Sequence, residues 1–389
     1  MIREAVIASA VRTPIGKYGG MLSIYKDFEI GAMVIHEAVK RSGINPEDIQ
    51  DVYFGNLLGL PGNVAKVAAM KAGLPENIPA VSIDRQCASG LEAICIANAM
   101  IQSGAGDIYI AGGTESMTNR PYYLEKAKKL YSMNPPRFLD AMLSPPECGD
   151  PSMGETAENV LNHYDITREE MDKFALKSHE LALKAIEDGK FKEQILPIKI
   201  RKGKEEIITS IDECPRRNTS LEKLFKLPAL FKENGRVTAG NSCPMNDGAA
   251  AMVVMSKEKA EKEGYPYMGI IRGFASVGLD HKVMGLGPIY AVRKLLEKAK
   301  MSIQDIDIFE LNEAFASQSI ACIRELNLDK EKVNINGGAI ALGHPLGATG
   351  TILTTKLLYA MKQRKARFGV VTMCVGGGQG AALLIENVA

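Results

Sequence analysis

The sequence predicts an α/β protein of two similar halves, with a separate domain inserted into the first. Alternation, internal repetition and a local change of composition carry that reading. Short β-rich runs at 5–10, 108–111 and 369–375 alternate with amphipathic stretches at 31–41 and 90–102, the pattern of helices layered on sheets. Two units also repeat in the same order, which predicts halves packed about a pseudo-twofold axis.

In the first half, residues 5–10 read as a strand and 31–41 as a helix. Asp51-Val-Tyr-Phe-Gly-Asn56 is a strand ending in Asn, and Ala80-Val-Ser-Ile83 is another. Cys87-Ala-Ser-Gly90 opens a helix that leads to the strand and glycines of Ile108–Gly113. In the second half, Asp307-Ile-Phe-Glu-Leu-Asn312 matches 51–56. There Gly347-Ala-Thr-Gly350 opens a helix leading to the strand and glycines of 370–377. Residues 120–245 differ in character, with Pro135-Pro136, Pro145-Pro146 and charge runs at 126–129 and 201–206. Within them Thr167-Arg-Glu-Glu170 is a capping box that starts an amphipathic run to Ala185, ended by Gly189. The expected organisation is therefore 1–119 as the first part of the first half, 120–245 as the insertion, 246–268 as its completion and 269–389 as the second half.

The chain has 389 residues, 46% hydrophobic, with 47 basic side chains against 46 acidic ones. That balance excludes the basic footprint of a dedicated nucleic-acid binder, and the apolar fraction excludes a disordered chain. The opening Met1-Ile2-Arg3-Glu4 lacks the basic region and apolar core of a secretory signal, so a cytoplasmic location is expected. The uncharged stretch 333–355 holds five glycines, His344 and Pro345 and reads as buried backbone, not as a membrane span. Seven cysteines without CxxC spacing read as free thiols and suggest neither a disulfide framework nor a metal site.

Four residues at loop-to-element junctions can carry chemistry. Cys87 lies where a strand meets a helix N-terminus, where amides and the dipole can lower a thiol pKa towards neutrality. A buried structural cysteine is the bland alternative, and Cys95 fits it. His344, in a glycine-rich loop before the second-half helix, holds nearly the repeat position of Cys87, so the two can face one cleft. It can take a thiol proton or donate to an oxyanion, whereas His36, His163, His179 and His281 read as structural. Asn312 ends a strand and starts a helix; it is an ordinary N-cap or orients a water or carbonyl in the cleft. Cys374 precedes the glycines of Cys374–Gly380, whose backbone N–H groups, Gly376 among them, can approach a ligand closely. No P-loop, HExxH or GxSxG pattern competes.

Asp84–Ala93, Asn312–Ala316, Gly337–Gly350 and Cys374–Gly380 together resemble the signature blocks of the thiolase family. The 10–16, 237–241 and 246–250 segments extend the likeness over the whole length. The resemblance implies a five-layered αβαβα fold with two βαβαβαββ halves and a CoA-binding insertion. It implies an acetyl-CoA C-acetyltransferase making or cleaving acetoacetyl-CoA, with longer-chain 3-ketoacyl-CoA thiolysis as the alternative. It also implies no tightly bound cofactor, a homodimer or homotetramer, and a place in fatty acid metabolism, with no nucleic-acid or membrane partner. By the same likeness Cys87 is acylated, His344 activates it and Cys374 moves the methyl proton. Asn312, through a water, and His344 form one oxyanion hole; the N–H groups of Cys87 and Gly376 form another. Met153, Cys243, Met284 and Phe315 would line the CoA site, with Arg216 near the adenine. Three departures accompany the likeness. Cys243-Pro244 stands where Ser-Gly is common, and Ser152 stands where acetoacetyl-specific members carry His. Arg85-Gln86-Cys87 is closer to the degradative type. A non-catalytic CoA carrier, a cysteine hydrolase and a β-ketoacyl synthase are the rivals; the first needs none of the four residues, the second no second thiol, and the third uses a second His or Lys.

Overall fold

The structure, a computed structural model, describes residues 3–129, 135–139, 141–202 and 205–388. The centre of the proline-rich 121–151 stretch (130–134 and 140) and residues 203–204 of the 201–206 charge run lie outside the described residues.

Nine main strands form one path. The first half supplies β1 (Ala5–Arg12), β2 (Asp51–Gly55), β3 (Ala80–Ile83), β4 (Ile108–Ser116) and β5 (Asn246–Ser256). The second supplies β6 (Gly269–Gly278), β7 (Ile308–Leu311), β8 (Phe368–Val375) and β9 (Gln379–Asn387). Their order is β7-β8-β9-β6-β1-β5-β4-β2-β3. The run β1-β5-β4-β2 thus recurs as β6-β9-β8-β7, with the same antiparallel and parallel pairings. The halves join where β1 and β6 pair antiparallel, Ala5 opposite Ile271 and Ile7 opposite Gly269. In place of β3 the second half has a single parallel bridge, Phe309 to Val333.

Five layers follow from how these sheets bury their two faces. Helices α1 (Asp27–Ser42) and α2 (Val64–Lys71) cover one outer face, through Ile30, Val34 and Ala68 against Val52, Phe54 and Val253. Helices α6 (Gly287–Ala299) and α7 (Ala316–Glu325) cover the other, through Val292, Leu295 and Cys322 against Phe309 and Leu384. Between the half-sheets lie α3 (Ser89–Ser103) and α8 (Leu346–Arg364), whose Leu91, Ile94, Leu353 and Leu357 meet inner-face residues of both halves. The insertion leaves after β4 and returns at β5. It carries α4 (Met153–Val160) and α5 (Arg168–Glu187), the latter capped by Thr167 and Glu170 as the sequence predicts.

The repeat is real, but its register is one residue from that read off the sequence. The Gln50 side chain accepts the N–H groups of Asp107 and Ile108, and the Asp307 carboxylate accepts those of Arg367 and Phe368. Gln50 N–H donates to Ile108 O as Asp307 N–H donates to Phe368 O, both at 2.9 Å. Asn312 therefore matches Gly55, not Asn56. A one-residue slip moves a strand side chain to the other face, which the shared Asp and Asn letters could not reveal.

The central helices cross at glycines. A Cβ on Gly55 or Gly90 would lie 2.5 or 2.7 Å from the Gly347 carbonyl oxygen, and one on Gly113 would also strike it. Because the obstacle is backbone, Gly113→Ala is expected to push α8 away, costing about 1–3 kcal/mol and most of the activity that depends on the His344 loop. Chemical denaturation and thiolysis assays would check this against Gly62→Ala, where a Cβ meets nothing within 4 Å. Equal behaviour of the two variants would contradict it.

Candidate active site

Cys87 and His344 each lie two residues before the first residue of a central helix, α3 and α8. The helix starts cross at Gly90 and Gly347, so the pseudo-twofold sets thiol and imidazole on either side of one crossing. Asn312 and Cys374 reach the same place from adjacent parallel strands. Asn312 follows β7 and donates its N–H to Thr372 O at 2.9 Å, two residues before Cys374 near the end of β8. The site thus occupies the carboxyl ends of parallel strands, where ligands of open α/β sheets bind. Gly376 begins the turn into β9, and Gly377 and Gly378 adopt φ of 78° and 81°, a conformation that favours glycine. The Gly376 N–H acts to lower the pKa of the Cys87 thiol.

His344 is held from both ends. Its backbone N–H donates to Asn246 Oδ1 at 2.8 Å, and its Nδ1 lies 2.6 Å from Thr349 Oγ1. Thr349 spends its own hydrogen on Pro345 O at 2.8 Å, so it can only accept from Nδ1–H. This hydrogen-bond network assigns the proton to Nδ1 and leaves Nε2 as an acceptor, 3.4 Å from the Asn312 Nδ2 donor. Burial pushes His344 down to about 4, so the ring is a neutral base at pH 7. Asn312 Oδ1 is buried with no hydrogen-bond partner among the described residues. Such an acceptor costs about 1–3 kcal/mol until it is given a donor, such as a water or a substrate group.

The thiols run against the expectation of a lowered pKa. Burial pushes Cys87 up to about 11, outweighing the N–H groups of Gly376 and of Cys87 itself; Glu115 and Asp84 add to the rise. Cys87 precedes the N-cap residue Ala88, so the helix amides do not converge on its sulfur. Burial also raises Cys374 and pushes Cys243 up to about 12, and neighbouring Cys87 raises both. All are thiols in the resting site, so Cys87 needs a base rather than a helix dipole.

Because the folded-state pKa of His344 is depressed, its neutral form persists as the pH drops below 6.5. Its contribution to stability is present above pH 6.5 and is lost as pH falls towards 4. The pH profile of kcat/KM is accordingly expected to show no loss through pH 6.5 from this group. An acid limb centred there and absent in His344→Gln would contradict the assignment.

The apolar residues divide. Met153 opens α4, and the next residue, Gly154, packs so closely on the Phe231 ring that a Cβ would strike it. Phe231 in turn meets Phe315 edge-on at 6.5 Å. The helical turn 281–286 bearing Met284 also packs on α4. Cys243 joins this wall through the backbone: its N–H donates to Ala314 O at 3.0 Å, and Ser242 bridges Phe315. Arg216 stands apart, with Lys17, Ser242 and Pro244 around a cavity of about 310 Å³ that none of Met153, Cys243, Met284 and Phe315 lines. Ser152 caps α4 in a capping box with Glu155, which occupies its hydroxyl.

Sequence reasoning missed the supports. Buried Glu115 accepts the N–H of Gly347 at 2.9 Å and those of Leu57 and Leu58, tying the start of α8 to the loop after β2. Burial, with the Asp27 charge, pushes Glu115 up to about 8. Asn334 hydrogen-bonds both backbone groups of Leu311 and reaches Glu313, which also accepts from Ser178 at 2.6 Å. These partners lie 21 to 232 residues apart, so only Asn246, Glu313 and Thr349, inside segments already singled out, had a local signal.

Comparison with known proteins agrees with this architecture. Residues 5–258 match the thiolase N-terminal domain and residues 265–387 the thiolase C-terminal domain. The chain is 47% identical to an acetyl-CoA acetyltransferase of Syntrophomonas wolfei, over 99% of this chain and 100% of that protein. It is 43% identical to a probable acetyl-CoA acyltransferase of Staphylococcus aureus, over 99% of each. The crystal structure of the Bacillus anthracis acetyl-CoA acetyltransferase superposes with a TM-score of 0.94 at 42% identity, covering 100% of this chain and 99% of that one. Human mitochondrial 3-ketoacyl-CoA thiolase in complex with CoA gives 0.94 at 35% identity, covering 100% and 98%. With both domains matched in order and relatives aligned end to end, this chain belongs to the thiolase family.

Proposed function

We propose that this protein is an acetyl-CoA C-acetyltransferase, condensing two acetyl-CoA to acetoacetyl-CoA and CoA through an acyl-cysteine, and cleaving acetoacetyl-CoA in reverse. The observation that carries this is the neutral, Nδ1-anchored His344 set beside Asn312, at the helix crossing it shares with Cys87, with Cys374 adjoining. Nε2 takes the Cys87 proton as the sulfur attacks the thioester carbon. CoA leaves with the Cys374 proton. The new Cys374 thiolate, stabilised by the His344 imidazolium, removes a methyl proton from the second acetyl-CoA. The enolate attacks the acetyl carbonyl, and Cys87 departs and regains its proton from His344. Both thiols end as they began, and their high pKa values suit groups that hold protons between steps.

Asn312, through a water on its unpartnered Oδ1, and His344 stabilise one oxyanion, and the Cys87 and Gly376 N–H groups the other. Met153, Cys243, Met284 and Phe315 would line the pantetheine, with Arg216 and Lys17 placed for adenine and phosphates. Cys374→Ala is expected to retain acetylation of Cys87 but to lose exchange of the acetyl-CoA methyl protons with solvent, as read by NMR in deuterium oxide. Normal exchange would contradict the role of Cys374.

Thiolysis of longer 3-ketoacyl-CoA is the second reading. It is favoured by Ser152, whose hydroxyl caps α4 instead of facing a short acyl group. Rates with acetoacetyl-CoA and a medium-chain 3-ketoacyl-CoA separate the two. We place the enzyme in the cytoplasm and in fatty acid metabolism, as a homodimer or homotetramer. Strand β3 ends the sheet with Val81 exposed, and Tyr122 and Phe138 stack edge-on, both exposed, at a small hairpin. No helix among the described residues is long and apolar enough to cross a membrane.

A further inference from the structure

A second cavity, of about 400 Å³, opens between α5 and α7, lined by neither Cys87, His344 nor Cys374. Its walls are apolar: Phe174 and Leu181 from α5, Ile320 and Ile323 from α7, and Val333 and Ile335 from the loop that follows. Its mouth is cationic. Lys177, Lys330 and Arg364 are exposed there with no ion-pair partner among the described residues, whereas Lys173 pairs with Glu169 and Arg324 with Glu170. Of the surface acids at the mouth, Glu331 alone lacks a cation among the described residues, so three unpaired positive charges face one negative.

The floor is built from groups that are already committed. Ser178, Glu313 and Asn334 are buried, Ser178 and Asn334 each donating to the Glu313 carboxylate, with Ser178 Oγ also accepting the Gly338 N–H at 3.1 Å. A ligand here would therefore gain little from polar groups at depth. An apolar chain below and a single anionic group at the rim satisfy both halves of the cavity. Its size lies at the lower end of small-molecule sites, which limits the chain to medium length.

We propose that this cavity binds a medium-chain aliphatic carboxylate, with its chain between α5 and α7 and its head group at Lys177, Lys330 and Arg364. The site is distinct from the catalytic centre, although Asn334 in its floor hydrogen-bonds both backbone groups of Leu311, the residue before Asn312.

Calorimetric titration of the intact protein with octanoate, at saturating CoA, tests this directly. One site is expected. Affinity should fall with added salt. It should also fall about tenfold or more in Lys177→Glu/Arg364→Glu, where two attractions become repulsions. Both substitutions are at exposed positions, and unchanged melting would verify folding. On the unaltered protein, octanol, which keeps the chain, and acetate, which keeps the charge, should each bind about tenfold more weakly than octanoate. Absence of octanoate binding, equal binding of octanol, unchanged affinity in the charge-reversed protein, or displacement by CoA would each overturn the proposal.

Discussion

Cys87→Ala is expected to lower both condensation and thiolysis by about 10⁴-fold or more, because the nucleophile and its base act as one unit. His344→Ala should fall nearly as far, since Cys87, pushed up to about 11 by burial, has no other neutral base in the site among the described residues. The two losses should not add: the double variant should be no slower than Cys87→Ala by more than a few-fold. CoA release measured on purified protein checks this. Residual activity in Cys87→Ala above about a hundredth of normal would place the acyl group elsewhere.

Arg12→Ala is expected to destabilise the fold by about 3–5 kcal/mol, the largest single effect on stability foreseen here. Arg12 is fully buried at the end of β1. Its guanidinium forks onto Asp212 at 2.7 and 2.9 Å, donates to Gln194 at 2.8 Å and lies over Phe191 at 5.1 Å. All three partners belong to the inserted segment, so one cation fastens the insertion to the central sheet. Removing it strands a buried Asp212 carboxylate. The paired change Arg12→Met/Asp212→Leu removes both charges and should recover much of the loss. Denaturant unfolding of the single and double variants is the check; a single variant within about 1 kcal/mol of the parent would contradict the account.

What the sequence discloses depends on how far apart the cooperating residues lie. The repeat of helix starts at Cys87 and His344 was legible because each is a local junction signal, as was the Thr167–Glu170 capping box. The chemical state of those residues was not. The Cys87 thiol is set by burial and by Glu115, 28 positions away in the sequence, so an argument from its helix start alone gave the wrong direction. Similar letters at 51–56 and 307–312 suggested that Asn56 and Asn312 correspond, while the ladders show a one-residue offset that local likeness cannot resolve. In the sequence Gly113 and Gly347 stand out only as glycines of the two repeated segments. In the fold they are points of backbone contact between elements more than 200 residues apart.

The measurement that bears most directly on the mechanism is the mass of the protein and of its Cys87 peptide after mixing with acetyl-CoA and quenching in acid. The geometry of Cys87, His344 and Gly376 requires a gain of one acetyl group, located on Cys87, labile to hydroxylamine and discharged by added CoA. An acetyl group that persists in Cys87→Ala, or an unmodified Cys87 in a protein that still makes acetoacetyl-CoA, would contradict it.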